Sequence, residues 1–318
     1  MVTTAAALPR PDGDGAIDVQ QLRHVYSGGK VALDGIDLHC GTGLFGLLGP
    51  NGAGKSTLMR ILCTLLVPTA GRATVGGHDV VRERLAVRRQ IGYLPQSFGA
   101  WRLQRVEEVV DTLARLGGLR DRKTRLARVR ACLEQVGLAD VADRKVKKLS
   151  GGMLRRLGVA QALVHEPRFL IVDEPTVGLD PQERLRFRQL MTSLGQEHTI
   201  LLSTHIVADL GSGCSDLALI DGGKIQFRGS PAALVQHAHG KVFELNVPMG
   251  TEPQLRPGQE IVSRTRTAVG TKVRAVAADG AFPPGAQPAE QATLEEGYLA
   301  FMAARGRAEA AVVEEEAS

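Results

Sequence analysis

The sequence predicts an α/β fold, on three observations. Gly49-Pro50-Asn51-Gly52-Ala53-Gly54-Lys55-Ser56-Thr57 is a glycine-rich loop of the G-x-x-x-x-G-K-[ST] form, set between an apolar run of strand length and a helical pattern. Phe169-Leu170-Ile171-Val172 is a second apolar run, and it ends in two adjacent acids, Asp173 and Glu174. Between them lies a basic stretch whose apolar residues recur at helix spacing, and after Pro231 the pattern changes to short strands and one helix. Together these predict a phosphate-loop NTPase core with an antiparallel β subdomain and a helical subdomain, followed by a small α+β C-terminal appendage.

In chain order, the elements follow from local pattern. Residues 1–15 are rich in Ala, Pro, Asp and Gly and lack a basic segment followed by an apolar one. They read as a disordered tail and not as a signal peptide. Ile17 to Leu38 alternates around Ser27-Gly28-Gly29, which predicts two antiparallel strands with Tyr26 at their turn. Gly43 to Leu48 is the strand before the glycine-rich loop, and Thr57 to Leu62 opens the helix after it, closing before Pro68. Gly71 to Val80 predicts a further strand pair near Gly76-Gly77, and Ile91 to Pro95 is a short apolar run with Gln96 just beyond it. Val106, Val109, Val110, Leu113 and Leu116 recur at helix spacing, as do residues from Arg128 to Val136. Thr199 to Leu202 is another apolar strand, followed by Ser203, Thr204 and His205. Lys241–Val247, Glu260–Val269 and Lys272–Ala277 read as strands and Phe282–Pro288 as a linker. Thr293-Leu294-Glu295-Glu296 has capping-box spacing, with Leu294, Tyr298, Phe301 and Met302 on one helical face. Residues 307–318 are an Ala/Glu tail that predicts disorder.

The spacing carries the chemistry. Glycines let the loop backbone curl so that successive N–H groups converge on an anion, and the following helix adds its positive end. Lys55 is placed to reach the β and γ phosphates of a nucleotide, and the Ser56 hydroxyl to ligate Mg²⁺. A buried strand that ends in acids beside such a loop delivers Asp173 to the metal and Glu174 as proton acceptor for an attacking water. His205 follows a strand expected to lie next to that of Asp173, which directs it to the γ-phosphate. Gln96, also just past an apolar run, can orient both water and metal.

In combination these motifs resemble the ATPase subunit of ATP-binding-cassette transporters, from about Ile17 to Pro231. Leu149-Ser150-Gly151-Gly152 resembles the family's signature sequence, which opens a helix and touches the γ-phosphate bound by a second subunit. Asp180 in Gly178-Leu179-Asp180 matches the loop along the dimer interface, and Gln96 and His205 match the glutamine loop and switch histidine. Tyr26 matches the aromatic that stacks on adenine, an ordinary strand aromatic being its other reading. The resemblance implies ATP and Mg²⁺ as cofactors. It implies nucleotide binding by Tyr26, Gly49, Pro50, Asn51, Gly52, Ala53, Gly54, Lys55, Ser56 and Thr57, with Ser150, Gly151 and Gly152 from the second chain. The implied catalytic set is Glu174, His205, Gln96 and Lys55, and the metal set Ser56, Gln96 and Asp173. Met153 stands where the signature usually carries glutamine, so it cannot donate that amide hydrogen bond. Methionine there resembles drug-export members, which points to export.

The implied organisation is an ATPase domain over 16–231 with its helical subdomain at about 97–156, and an accessory domain over 240–306. The implied partners are a second ATPase subunit, as a homodimer, and an integral membrane permease, with the chain cytoplasmic and peripheral on the inner membrane face. The alternative is a soluble cassette ATPase working on ribosomes or DNA, but the tandem cassettes or long coiled coils that mark those are absent from this sequence. A non-catalytic nucleotide-binding module is argued against by Glu174, Gln96 and His205 together.

Bulk properties agree. The chain has 318 residues, enough for one large and one small domain. No apolar run approaches the roughly 18 to 20 residues needed to cross a bilayer. Cys40, Cys63, Cys132 and Cys214 are far apart, which favours reduced thiols over a disulfide frame or zinc site. The net charge is only +5, yet Ser97 to Arg156 alone holds 15 Lys/Arg against 7 Asp/Glu, a net of +8. That segment is either a solvated face or a surface for an acidic coupling helix or anionic headgroups. Nucleic acid is not an expected partner, because no aromatic residues interleave the charges.

Overall fold

The protein is described from a computed structural model that covers residues 16–97, 101–211, 213–256 and 258–305. The predicted tails over 1–15 and 307–318 lie outside these described residues. The chain divides into two compact units, one ending at Arg228 and one beginning at Gly229.

The first unit opens with β1 (Ile17–Val25) and β2 (Val31–Cys40), which pair antiparallel across the Gly29 turn. Alternation puts Ile17, Val19 and Leu22 inside, all at most 3% exposed. The alternation slips once, at Gln21, which takes φ 44°. Gly71 lies against that bulge, where a Cβ would come within 2.2 Å of the Gln21 carbonyl. β3 (Gly43–Leu48) then enters the core, followed by α1 (Lys55–Leu62), β4 (Ala70–Val75), β5 (His78–Asp79), α2 (Arg84–Gln90) and β6 (Ile91–Leu94). The sheet order β2-β1-β4-β5 makes the antiparallel subdomain, with the Gly76-Gly77 turn between its last two strands.

Next come α3 (Val106–Leu116), α4 (Arg122–Gln135) and α5 (Gly151–Leu163), which make the helical part. Val106, Val109 and Val110 are fully buried on α3. Leu113 is half-buried and Leu116 is 76% exposed, so the predicted face ends early and Ala114 completes it. α4 starts six residues before the predicted stretch, because Asp121 caps it by accepting from the Thr124 N–H at 2.8 Å. Several arginines of the basic stretch are internal struts. Arg125, 9% exposed, pairs with Asp111 at 2.6 Å, and Arg156 donates to the Val136 and Gly137 carbonyls. Arg120 and Arg122 are exposed.

β7 (Phe169–Asp173), α6 (Pro181–Leu194), β8 (Thr199–Thr204), β9 (Cys214–Asp221) and β10 (Lys224–Gly229) complete the unit. The six-stranded core sheet runs β10-β9-β3-β8-β7-β6, with β9, β3, β8, β7 and β6 parallel in succession. β7 is buried at every position, as a central parallel strand covered on both faces must be. α1 packs Leu58, Met59, Ile61 and Leu62 into the core at 0% exposure, worth about 2 kcal/mol each. The four cysteines are free and buried, and burial pushes the Cys214 thiol up to about 11.

The second unit begins with α7 (Pro231–Val235), then β11 (Val242–Pro248), β12 (Gln259–Thr267), β13 (Gly270–Ala277), β14 (Gln287–Pro288) and α8 (Leu294–Ala304). The strand order is β12-β13-β11-β14. The stretch read as a linker ends in β14, which pairs with β11 at the sheet edge, where proline is tolerated. α8 carries the predicted capping box, Thr293 with Glu296. Its buried face differs from expectation: Glu296, Gly297, Ala300 and Met302 are buried, while Leu294, Tyr298 and Phe301 are half-exposed. Glu296 is held inside by Arg274, and Gly297 lets α7 approach so closely that a Cβ would meet the Leu234 carbonyl at 2.6 Å. Pairing and close backbone approach here outrank side-chain hydrophobicity.

Candidate functional site

The glycine-rich loop leaves β3 and closes on α1, which begins at Lys55, two residues before the predicted start. Gly52 and Gly54 take φ 81° and 113°, values that cost a side chain dearly. Gly49 is tighter still, since a Cβ there would sit 2.1 Å from the Ile220 carbonyl. The curl of the loop therefore depends on glycine at these three positions. Lys55 is 5% exposed, and its Nζ donates to the Gly49 and Pro50 carbonyls at 2.5 and 3.0 Å.

The parallel register brings the acids to this loop. β8 lies between β3 and β7, so Leu48, Thr204 and the Asp173–Ser203 pair end the strands at the C-terminal end of the sheet. Asp173, 2% exposed, accepts from the Ser203 hydroxyl at 2.6 Å. Glu174 has φ 46°, a left-handed conformation rare for glutamate, and its N–H is held by the Ser203 carbonyl and hydroxyl at 3.2 and 3.1 Å. Its carboxylate has Lys55 Nζ at 3.0 Å on Oε1 and His205 Nδ1 at 2.6 Å on Oε2. Oε1 is buried without an aligned hydrogen bond, so it keeps accepting capacity. The result is one buried carboxylate between two cationic or donor groups, next to a phosphate-shaped cradle.

A cavity of about 430 Å³ gathers Tyr26, Asn51, Gly52, Gly54, Lys55, Ser56, Thr57, Gln96 and Glu174. The Tyr26 hydroxyl shares a hydrogen bond with Thr57 Oγ1 at 3.0 Å, which fixes the ring at the loop. Ser56, Gln96 and Asp173 offer hydroxyl, amide and carboxylate oxygens, hard donors that fit Mg²⁺ with few protein ligands. A larger cavity of about 750 Å³ lies among α3 and α4, but its lining mixes acids, Arg115, Arg130 and apolar residues with no glycine-rich cradle. The chemistry belongs to the smaller one.

Asp173 and His205 stand just outside that lining, joined to it through Ser203 and Glu174, and the other predicted residues outside it fall into two groups. Gly49, Pro50 and Ala53 form the back of the loop, their carbonyl or side chain turned inward. Ser150, Gly151 and Gly152 begin α5, where Ser150 caps the helix by accepting from the Met153 N–H at 3.2 Å. Ser150 and Gly151 are exposed, and the cavity does not include them. Asp180 caps α6 by accepting from the Glu183 N–H at 2.8 Å. Two residues not assigned a role from sequence hold the site. Ser203 joins both acids. Asp209, with a fully buried side chain, accepts from the hydroxyls of Thr176 and Thr204 and thereby ties the segment after Glu174 to the one before His205. The hydroxyl-ended strand was visible in the sequence, but Asp209 has no local signal.

The family model for ABC transporters matches residues 33–177. The chain is 39% identical over 267 residues to the daunorubicin resistance ATP-binding protein DrrA3 of Streptomyces coeruleorubidus, covering 83% of each chain. It is 39% identical over 258 residues to the Nod factor export ATP-binding protein I of Rhizobium sp. (strain N33), covering 80% of this chain and 81% of that one. The dimeric structure of MJ0796, a bacterial ABC transporter cassette, matches with a TM-score of 0.61 at 25% identity, covering 67% of this chain and 98% of that one.

Proposed function

Since the chain belongs to the ABC transporter family, as an ATP-binding subunit that hydrolyses ATP, we propose that it works in a head-to-tail homodimer that drives export through a separate membrane permease. The observation that carries the reading is the pair of buried Lys55 and Glu174, with His205 on the same carboxylate, beside the glycine-rich loop. Tyr26 stacks on adenine, and residues 49–57 hold the phosphates. Glu174 takes the proton of the attacking water as its oxygen bonds to the γ-phosphorus. The bond from that phosphorus to the bridging oxygen breaks, and the electron pair leaves on ADP. Lys55 and His205 offset charge on the transferred group, and Gln96 orients the water. Ser56, Gln96 and Asp173 would hold Mg²⁺, whose charge offsets that of the phosphates when bound.

The exposed Ser150 and Gly151 support a trans contact, because an anion site at a helix N-terminus that faces outward fits a nucleotide held by a second copy. The names of the relatives, daunorubicin resistance and Nod factor export, support export as the direction of transport. Among the described residues no helix is long and apolar enough to cross a membrane, in keeping with a peripheral subunit at the cytoplasmic face of a separate permease. Mixing tests the pairing. Ser150→Arg chains and Glu174→Gln chains should each be inactive alone. A mixed dimer has one site with both defects and one with neither, so activity should partly return. No recovery from dimers shown to be mixed would sink the idea that one intact shared site suffices.

Arg120 and Arg122 belong to the same reading, as exposed parts of the membrane-directed helical surface. Arg120→Glu with Arg122→Glu should leave ATPase within about twofold, since neither touches the cavity and surface changes cost little. Co-sedimentation with permease-containing membranes should fall as it does for the wild type in high salt. Unchanged sedimentation at low salt would make these arginines merely solvated.

A further inference from the structure

β6 pairs with β7 only as far as Leu94, opposite Val172, so Pro95 and Gln96 lie beyond the ladder. Their carbonyls find a donor elsewhere. Arg155, half-buried on α5, donates from Nη1 to the Pro95 carbonyl at 3.2 Å and to the Gln96 carbonyl at 2.7 Å. Burial holds its guanidinium pKa below the usual arginine value, so its position carries a desolvation cost. The neighbouring Arg156 faces the other way, to the Val136 and Gly137 carbonyls and to Glu183 at 3.5 Å. Arg156 thus secures α5 to its own subdomain and to α6, whereas Arg155 reaches across to the strand end that carries Gln96.

We propose that Arg155 is a positioning residue for ATP hydrolysis, which fixes the Gln96 backbone to α5 so that the cavity-lining amide and the Ser150 end of the helix move as one body. The proposal rests on the reading that Gln96 acts at the nucleotide. Its physical basis is reach. The Nη1 group serves both successive carbonyls from the end of a long planar side chain; a lysine ammonium keeps the charge and donors but not the plane, and a glutamine amide is shorter and uncharged. With the clamp gone, the phosphate loop stays intact, since its own glycines and Lys55 shape it. What shifts is the amide, and misplacement of a catalytic group by about 1 Å costs on the order of a hundredfold in rate. A motion of α5 against a second copy is then felt at Gln96 through this side chain, in addition to the packing of α5 on β6 at Gly92 and Ala162.

A double-mutant cycle with Gln96→Ala in the full chain tests this. Arg155→Met should lower kcat by about ten- to a hundredfold while KM for ATP changes less than about twofold. Arg155→Lys should recover part of kcat. The Arg155→Met, Gln96→Ala chain should be no slower than Gln96→Ala alone, because both changes remove one effect. Losses that multiply, or a folded Arg155→Met chain with wild-type kcat, would overturn the proposal. If Gln96→Ala itself keeps wild-type kcat, the role of Gln96 fails first and Arg155 loses its purpose with it. If Gln96→Ala is slow and Arg155→Met is not, only the clamp fails. Should Arg155→Met not fold, Arg155→Lys and Arg155→Gln run the same cycle. If no variant at 155 folds, Arg155 is a folding residue and the proposal is wrong.

Discussion

Glu174→Gln is expected to lower steady-state ATP turnover by at least about a hundredfold while leaving ATP binding intact. The change removes proton acceptance and the negative charge that faces Lys55 Nζ at 3.0 Å, while the backbone around it stays held. The two hydrogen bonds that hold Glu174 in its left-handed conformation go from its backbone N–H to Ser203, so an amide side chain leaves them in place. His205 keeps an oxygen acceptor where it now has the carboxylate at 2.6 Å. Since binding survives and hydrolysis does not, the variant should accumulate as an ATP-held dimer, visible as an earlier elution with ATP than without. Phosphate release is the decisive measurement. Turnover at the wild-type level would remove Glu174 from the base role, and retained binding with no dimer would detach hydrolysis from dimer opening.

Lys55→Ala is expected to have two separable effects. Charge-assisted contacts to phosphate are worth about 1.5–3 kcal/mol, so ATP affinity should fall by about ten- to a hundredfold. The same change strips Glu174, 5% exposed, of the ammonium at 3.0 Å, and leaving a buried charge without its partner costs about 3–5 kcal/mol. Binding and stability can be told apart by adding Glu174→Gln. The double variant has no uncompensated carboxylate, so its denaturation midpoint should recover while its ATP affinity stays low. A nucleotide titration and a denaturant melt on all four chains check this. If the double variant melts as early as Lys55→Ala alone, the Lys55–Glu174 pair is not what stabilises the site.

How much of this was legible in the sequence differs by residue. Lys55, Ser56, Asp173 and Glu174 were readable because their roles depend on short-range order: a loop of set spacing, and acids at the end of an apolar run. Tyr26, Gln96 and His205 were readable as candidates, since each follows a strand. That they line or border one site depends on β8 lying between β3 and β7 and on β6 lying beyond β7, which is a property of strand order. Ser203 was half-legible, as a hydroxyl at a strand end. Asp209 and Arg155 were not. Asp209 sits in a short helical turn of ordinary composition, and Arg155 is one of many arginines in a basic stretch, until the fold carries them to Thr176 and to the Gln96 carbonyl. The buried face of α8 was misjudged for the same reason. Periodicity ranks side chains by hydrophobicity, but a glutamate paired to Arg274 and a glycine under a crossing helix are buried by their neighbours.

By itself, the sequence determined the strands, the phosphate cradle, the acids and the signature helix start, because each depends on residues close along the chain whose sterics and polarity act locally. Only the tertiary structure decided which of them share a site. Parallel strands need long crossovers, so the residues that meet at the C-terminal ends of the strands come from segments far apart, and nothing in their local spacing encodes that distance. The tertiary structure also decided that Ser150 stays outside the cavity while Lys55 and Glu174 close within it and His205 reaches Glu174 from its border, since burial is a property of the packed chain and not of any segment of it.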